Sequence, residues 1–101
     1  MRQITGHILV WDPPHVFEHE WRQPLIGDTV VRYELTEDGG ATLLRFTHFG
    51  LKISDADGYR PGEHAFLDRM EAHLAGRPLP RWAERYAKLL PEYRDAGPRV
   101  L

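Results

Sequence analysis

The stretch "DTVVRYELTEDGGATLLRFTHF", residues 28–49, decides the fold. It holds two runs that alternate in polarity with a period of two, separated by "EDGG" at 37–40. In an extended chain successive side chains point to opposite faces. Val31, Tyr33 and Leu35 therefore oppose Val30, Arg32 and Glu34, and in the second run Thr42, Leu44, Phe46 and His48 oppose Leu43, Arg45 and Thr47. Asp-Gly and Gly-Gly tolerate the positive φ angles of tight loops, so 37–40 reads as a hairpin turn. Apolar residues dominate one face and charges mark the other. That is the pattern of an antiparallel sheet solvated on one side.

Working outward, residues 15–22 alternate too, with His15, Phe17, His19 and Trp21 opposed to Val16, Glu18 and Glu20. Before them "QITGHILVW", residues 3–11, reads as a strand closed by a turn at Asp12-Pro13-Pro14. It is apolar on both faces, which leaves its orientation open. After "LKISDADGYRP" the period changes to that of a helix. Pro61 suits a first helical position, and Gly76 followed by Pro78 is a stop signal. Phe66, Leu67, Met70 and Leu74 fall on one stripe of that helix. Burying the four against the sheet would contribute about 6–12 kcal/mol before ordering entropy is charged. Pro80 then opens a shorter helix with Trp82, Tyr86, Leu89 and Leu90 in helical spacing, expected to stop near Pro91, with a loose tail from 94 to 101. The expected class is α+β: a four-stranded antiparallel sheet, then a helix laid on its apolar face.

Composition narrows the function. A chain of 101 residues suits one domain, placed here at 1–93. A formal net charge of -2 gives no electrostatic reason to expect nucleic acid or an anionic membrane. No apolar run approaches the roughly 18 residues of a membrane span, and the first residues lack a cleavable leader pattern. Zero cysteines removes disulfides, thiolate nucleophiles and Cys-ligated zinc. A soluble, cytoplasmic protein is the expectation.

The histidine- and glutamate-rich "PPHVFEHEW", residues 13–21, resembles a metal site but does not hold together as one. Strand residues four apart are separated by about 13 Å, while two ligands of one zinc lie within about 4 Å. His15 and His19 therefore cannot share a metal, and Glu18 and Glu20 point away from both. "DADGYRPGE" at 55–63 fails as a calcium loop, because its twelfth position is Phe66. No phosphate-binding loop and no nucleophile elbow occurs. No metal and no cofactor is expected.

Two polar positions carry more interest. His48 shares a face with Phe46 and Leu44, and is either a core histidine with one hydrogen bond or a residue that orients a ligand. Tyr33 and His19 look inward with it. Glu63 lies inside the apolar stripe of the helix. It belongs either to a first turn that frays outward, where the helix dipole favours a carboxylate, or to a cavity mouth. His73 borders the stripe and reads as half-buried, and His64 with Asp68 reads as a weak surface pair.

Together "DPPHVFEHEW", "TLLRFTHFGL" and "GEHAFLDRMEAHLAGRPLPRWAERYAKLLPEY" resemble the C-terminal half of the START-like (SRPBCC) superfamily, in the branch homologous to the activator of heat-shock-protein-90 ATPase. The resemblance covers residues 5–93. It implies a helix-grip fold with an apolar cavity between sheet and helix, in a superfamily whose members bind lipids, polyketides or hormones and in some cases act as cyclases. The inward row it implies is Phe17, His19, Trp21, Val31, Tyr33, Leu35, Leu44, Phe46 and His48, the face that alternation selects. Gly62-Glu63 departs from the Gly-Trp usual in the family. The family fold also opens with a strand, two short helices and another strand that have no counterpart here. Sheet edges left unpaired by that difference invite a homodimer or another protein partner.

The expected ligand cavity is therefore lined by Phe17, His19, Trp21, Val31, Tyr33, Leu44, Phe46, His48, Glu63, Phe66 and Met70. Non-catalytic binding of an apolar small molecule is the first expectation. The alternatives are an interaction or co-chaperone-like module, and a cyclase- or hydrolase-like enzyme using His48, Tyr33 or Glu63 as acid or base.

Overall fold

The computed structural model describes residues 3–96, with side chains through Arg94. They form two compact units, a sheet to Leu51 and a helical pair from Lys52. The sheet is an antiparallel meander in the order β1 (Ile8–Asp12), β2 (Val16–Gln23), β3 (Gly27–Asp38), β4 (Ala41–Phe49). The helices are α1 (Ile53–Leu74) and α2 (Trp82–Ala96). The class is α+β, as the patterning predicts.

The β3–β4 hairpin closes on the pair Asp38↔Ala41, so its loop is Gly39-Gly40 alone. Both glycines have positive φ, 55° and 87°. That is the type I′ geometry whose twist matches the flanking strands. The closure sets the register that follows: Leu35↔Leu44, Tyr33↔Phe46 and Val31↔His48. On the other side of β3, Phe17 faces Tyr33 and His19 faces Val31. Directly paired residues point to the same face, so the alternation read from the sequence holds across three strands.

The first strand is shorter than its apolar run. Regular pairing begins at Ile8, and upstream of it Thr5 makes one bridge to Arg22. A register shift lies between Ile8 and Val10. That bulge settles the open orientation: it lets Ile8 and Trp11, of opposite parity, pair with His19 and Phe17 on one face. His15, assigned by alternation to the same face, precedes β2 and is exposed.

Both helices outrun the prolines that were expected to bound them. Helix α1 begins at Ile53, eight residues before Pro61, and α2 continues past Pro91 to Ala96. An interior proline removes one hydrogen bond and crowds the preceding turn, but tertiary packing outweighs that loss here. Ala56 and Arg60 are buried in the turns before Pro61, and Pro61 is itself buried. Beyond Pro91, Tyr93 is held to α1: its hydroxyl lies 2.7 Å from His64 Nδ1 and its ring 5.3 Å from the Arg60 guanidinium carbon. Residues 94–96 of the expected loose tail therefore belong to α2, and 97–101 lie outside the described residues. The stop at Gly76 is as expected. Arg77 N–H donates to Ala72 O and Gly76 N–H to His73 O, the paired bonds of a Schellman ending.

The helices meet along a face of α1 that carries Gly62 and Arg69, with the Phe66 ring at its border, 5.5 Å from that of Trp82. A Cβ added to Gly62 would lie 3.4 Å from the Trp82 ring and 3.7 Å from that of Tyr86, so the glycine lets the aromatics sit against the backbone. Trp82 Nε1 donates to Gly62 O at 3.0 Å, and Arg69 donates to Pro80 O at 3.1 Å. Ala65 and Ala72 lie on that side and are buried. Phe66, Met70 and Leu74 of the apolar stripe are exposed. Small residues permit close helix approach, and that approach, which hydrophobicity alone does not encode, selected the seam. His73 is likewise exposed rather than half-buried. Asp68, paired with His64 at 3.4 Å, is also bound to Arg85 at 2.6 Å, so the expected surface pair is part of a link between the helices.

Candidate ligand-binding face

One face of the sheet carries a ladder of rings because the registers place aromatics directly opposite one another. Trp11 meets Phe17 edge-on at 5.6 Å, Phe17 stacks on Tyr33 at 5.7 Å, and Tyr33 meets Phe46 at 5.1 Å. Such pairs add about 0.5–1.5 kcal/mol each beyond their buried area. Phe17, Tyr33 and Phe46 remain only part-buried and Trp11 is exposed. Leu35 and Leu44 pair beside them. The ladder is therefore an apolar surface of four strands.

At its other end the face turns polar and buried. His48, 2% exposed, has its Nε2 2.7 Å from Thr29 Oγ1, and Thr29 Oγ1 donates to Trp21 O at 2.8 Å. A hydroxyl has one proton to give. Since Thr29 gives it to the carbonyl, His48 Nε2 carries the hydrogen of its own bond. The Trp21 ring lies 5.3 Å from that of His48, and its Nε1 donates to Gln23 Oε1 at 3.2 Å. His19 sits between the two ends, 5.1 Å from the Phe17 ring, with Nδ1 2.7 Å from Glu20 O. Val31 is fully buried at the centre.

The predicted residues Phe17, His19, Trp21, Val31, Tyr33, Leu44, Phe46 and His48 are thus brought together on one face. Glu63, Phe66 and Met70 belong to the helical unit. Glu63 lies in the third turn of α1 rather than the first, so the fraying-turn account of it does not apply. It is part-buried there, while Phe66 and Met70 are exposed. Four members of the face, Ile8 among them, were not read from the sequence. Thr29 and Gln23 share the parity of Val31 and Trp21 and were open to detection on that ground. Trp11 needed the bulge.

The opposite face is ionic. Arg32 donates to Glu18 at 2.9 Å and lies 3.4 Å from Glu34. Its pKa is raised, chiefly by the Glu18 hydrogen bond. Glu20 accepts from Arg22 at 2.5 and 3.1 Å and lies 2.9 Å from His7 Nδ1. Those bonds, first Arg22 and then His7, hold its carboxyl below the usual glutamate range. Its contribution to stability is complete above the unfolded value of about 4.3 and is lost as pH falls through the lower folded value. Glu20→Gln is accordingly expected to flatten the fall in melting temperature between about pH 5 and pH 3. A parallel fall in both proteins would show that Glu20 has no part in it. Among the described residues no group of three or more histidine or acidic side chains is placed to hold a metal ion. No described helix is long and apolar enough to cross a membrane.

The family profile described as Activator of Hsp90 ATPase homolog 1-like protein matches residues 2–75. Among solved structures, CalU16 from Micromonospora echinospora superposes with a TM-score of 0.78 over 92% of this chain at 22% identity. The match spans 58% of CalU16, so this chain corresponds to little more than half of that protein. No curated protein matches significantly.

Proposed function

This chain belongs to the Activator of Hsp90 ATPase homolog 1-like family and has a START-like (SRPBCC) fold, and on that premise we propose that it binds an apolar small molecule without transforming it. The ladder of Trp11, Phe17, Tyr33 and Phe46, ending at the Thr29–His48 pair, carries the reading. Binding sites for small molecules combine a mostly apolar lining with a few fixed polar groups. Rings supply the first, and His48, Tyr33 and His19 the second. Non-catalytic binding accords with the engagement of His48 Nε2 by Thr29, which keeps that nitrogen from acting as a base. A cytoplasmic location is part of the same proposal and rests on the absence of cysteine.

Anilinonaphthalene sulfonate and a series of fatty acids of increasing chain length are the probes. We expect saturable quenching of tryptophan fluorescence, since Trp11 and Trp21 lie on the face, with a matching rise in melting temperature. Tyr33→Ala is expected to weaken binding about tenfold, the equivalent of about 1.4 kcal/mol. A flat response across the series would overturn ligand binding and leave the interaction-module reading, which the exposed Phe66, Met70 and Leu74 on one side of α1 favour.

A further inference from the structure

Strand β4 stands at the end of the sheet order, and among the described residues its strand partner is β3. The bond from Leu35 N–H to His15 O shows which way the β3 backbone points: its odd residues bond toward β2 and its even residues toward β4. Through the register Asp38↔Ala41, the odd residues of β4 bond back to β3. The N–H and C=O groups of Thr42, Leu44 and Phe46 therefore point outward from the edge. Proteins blunt such edges by shortness, bulges, proline or charge. β1, at the other edge, has five residues and an irregular register. β4 has nine residues in unbroken register, no proline and one charge, Arg45. Its outer face, opposite the ring ladder, leaves Leu43 52% and Phe49 45% exposed.

From this edge we infer that β4 pairs antiparallel with β4 of a second copy, about a two-fold axis at Phe46. The outward hydrogen-bonding parity admits few registers. An axis at Arg45 would set two arginines directly opposite, a destabilising arrangement. An axis at Thr47 would set Leu43 beyond the end of the partner strand. The axis at Phe46 sets Leu43 against the partner's Phe49, Phe49 against the partner's Leu43, and Arg45 against the partner's Thr47. Both exposed apolar residues are then covered, twice over by symmetry. The central Phe46 residues exchange two backbone hydrogen bonds, and the ring ladders of the copies join into one continuous face. The partner is this chain itself because the match is self-complementary.

Light scattering of the full chain at micromolar concentration tests the pairing. The expected mass is twice the 11.7 kDa of one chain. Leu43→Lys and Phe49→Glu are each expected to give monomers, and an equimolar mixture of the two to restore the dimer, because this register sets position 43 against 49. The double variant L43C/F49C supplies an independent readout. The natural sequence has no cysteine, and the two positions are about 20 Å apart along one strand. Across the proposed axis they form a non-hydrogen-bonded pair with Cα atoms about 4.5 Å apart, within disulfide reach. Oxidation should give a covalent dimer on a non-reducing gel even if the charged variants fail to fold. A monomeric mass for the natural sequence, a dimer indifferent to both charges, or an oxidised double variant that stays single would each overturn the inference.

Discussion

Leu89→Ala is expected to remove about 2–5 kcal/mol from the stability of the helical unit, the largest loss for any single side chain considered. Leu89 is 1% exposed. It lies on α2 between Tyr86 and Tyr93 at helical spacing, on the side whose neighbours Trp82, Tyr86 and Tyr93 approach α1. Truncation removes three buried carbons and leaves a hollow that two helices joined through glycine and alanine are poorly able to close. Urea unfolding followed by circular dichroism at the helical band is the measurement. The midpoint should drop with an unchanged denaturant slope, since the surface exposed on unfolding hardly alters. An unfolding free energy within about 0.5 kcal/mol of that of the natural protein would show that α2 does not depend on that face.

Thr29→Val lowers stability by another route, by about 1–3 kcal/mol. The substitution keeps shape and strand preference, so packing is nearly unchanged. What it removes is one oxygen that accepts from His48 Nε2 and donates to Trp21 O. His48 Nε2 then loses this acceptor in a buried place, at about 1–3 kcal/mol, while Trp21 O keeps the backbone N–H of the β2–β3 ladder. Adding His48→Leu to Thr29→Val should recover part of the loss, because the nitrogen that lacked its acceptor is then gone. A double-mutant cycle gives the coupling directly. Strictly additive losses would mean that the Thr29–His48 bond contributes nothing of its own.

These two losses divide as the sequence and the tertiary structure divide in what they decide. The binding face was legible because strand parity is a local rule. Once the Gly39-Gly40 loop closes on Asp38 and Ala41, every pair from Leu35↔Leu44 to Val31↔His48 follows by counting, and β2 extends the count to Phe17 and His19. The family was legible too, because its motifs span strands and helix in order. Trp11 escaped because one extra residue in β1 inverts its parity, and an insertion of that kind leaves no mark in an evenly apolar run.

The helices were legible in kind, in the stop of α1 at Gly76 and in the start of α2 near Pro80, but not in the start of α1 or in the end of α2. Proline carries the same local cost wherever it stands in a helix interior, and only burial of Ala56, Arg60 and Tyr93's anchoring to His64 shows that the flanking turns survive it. Gly62 lets the Trp82 and Tyr86 rings of α2 sit against the backbone of α1, and of the apolar stripe Phe66 reaches one of them, Trp82. Side-chain polarity sets which strand residues share a face, whereas the approach distance of two backbones, decided by the smallest residues and the rings that fit over them, sets how helices meet.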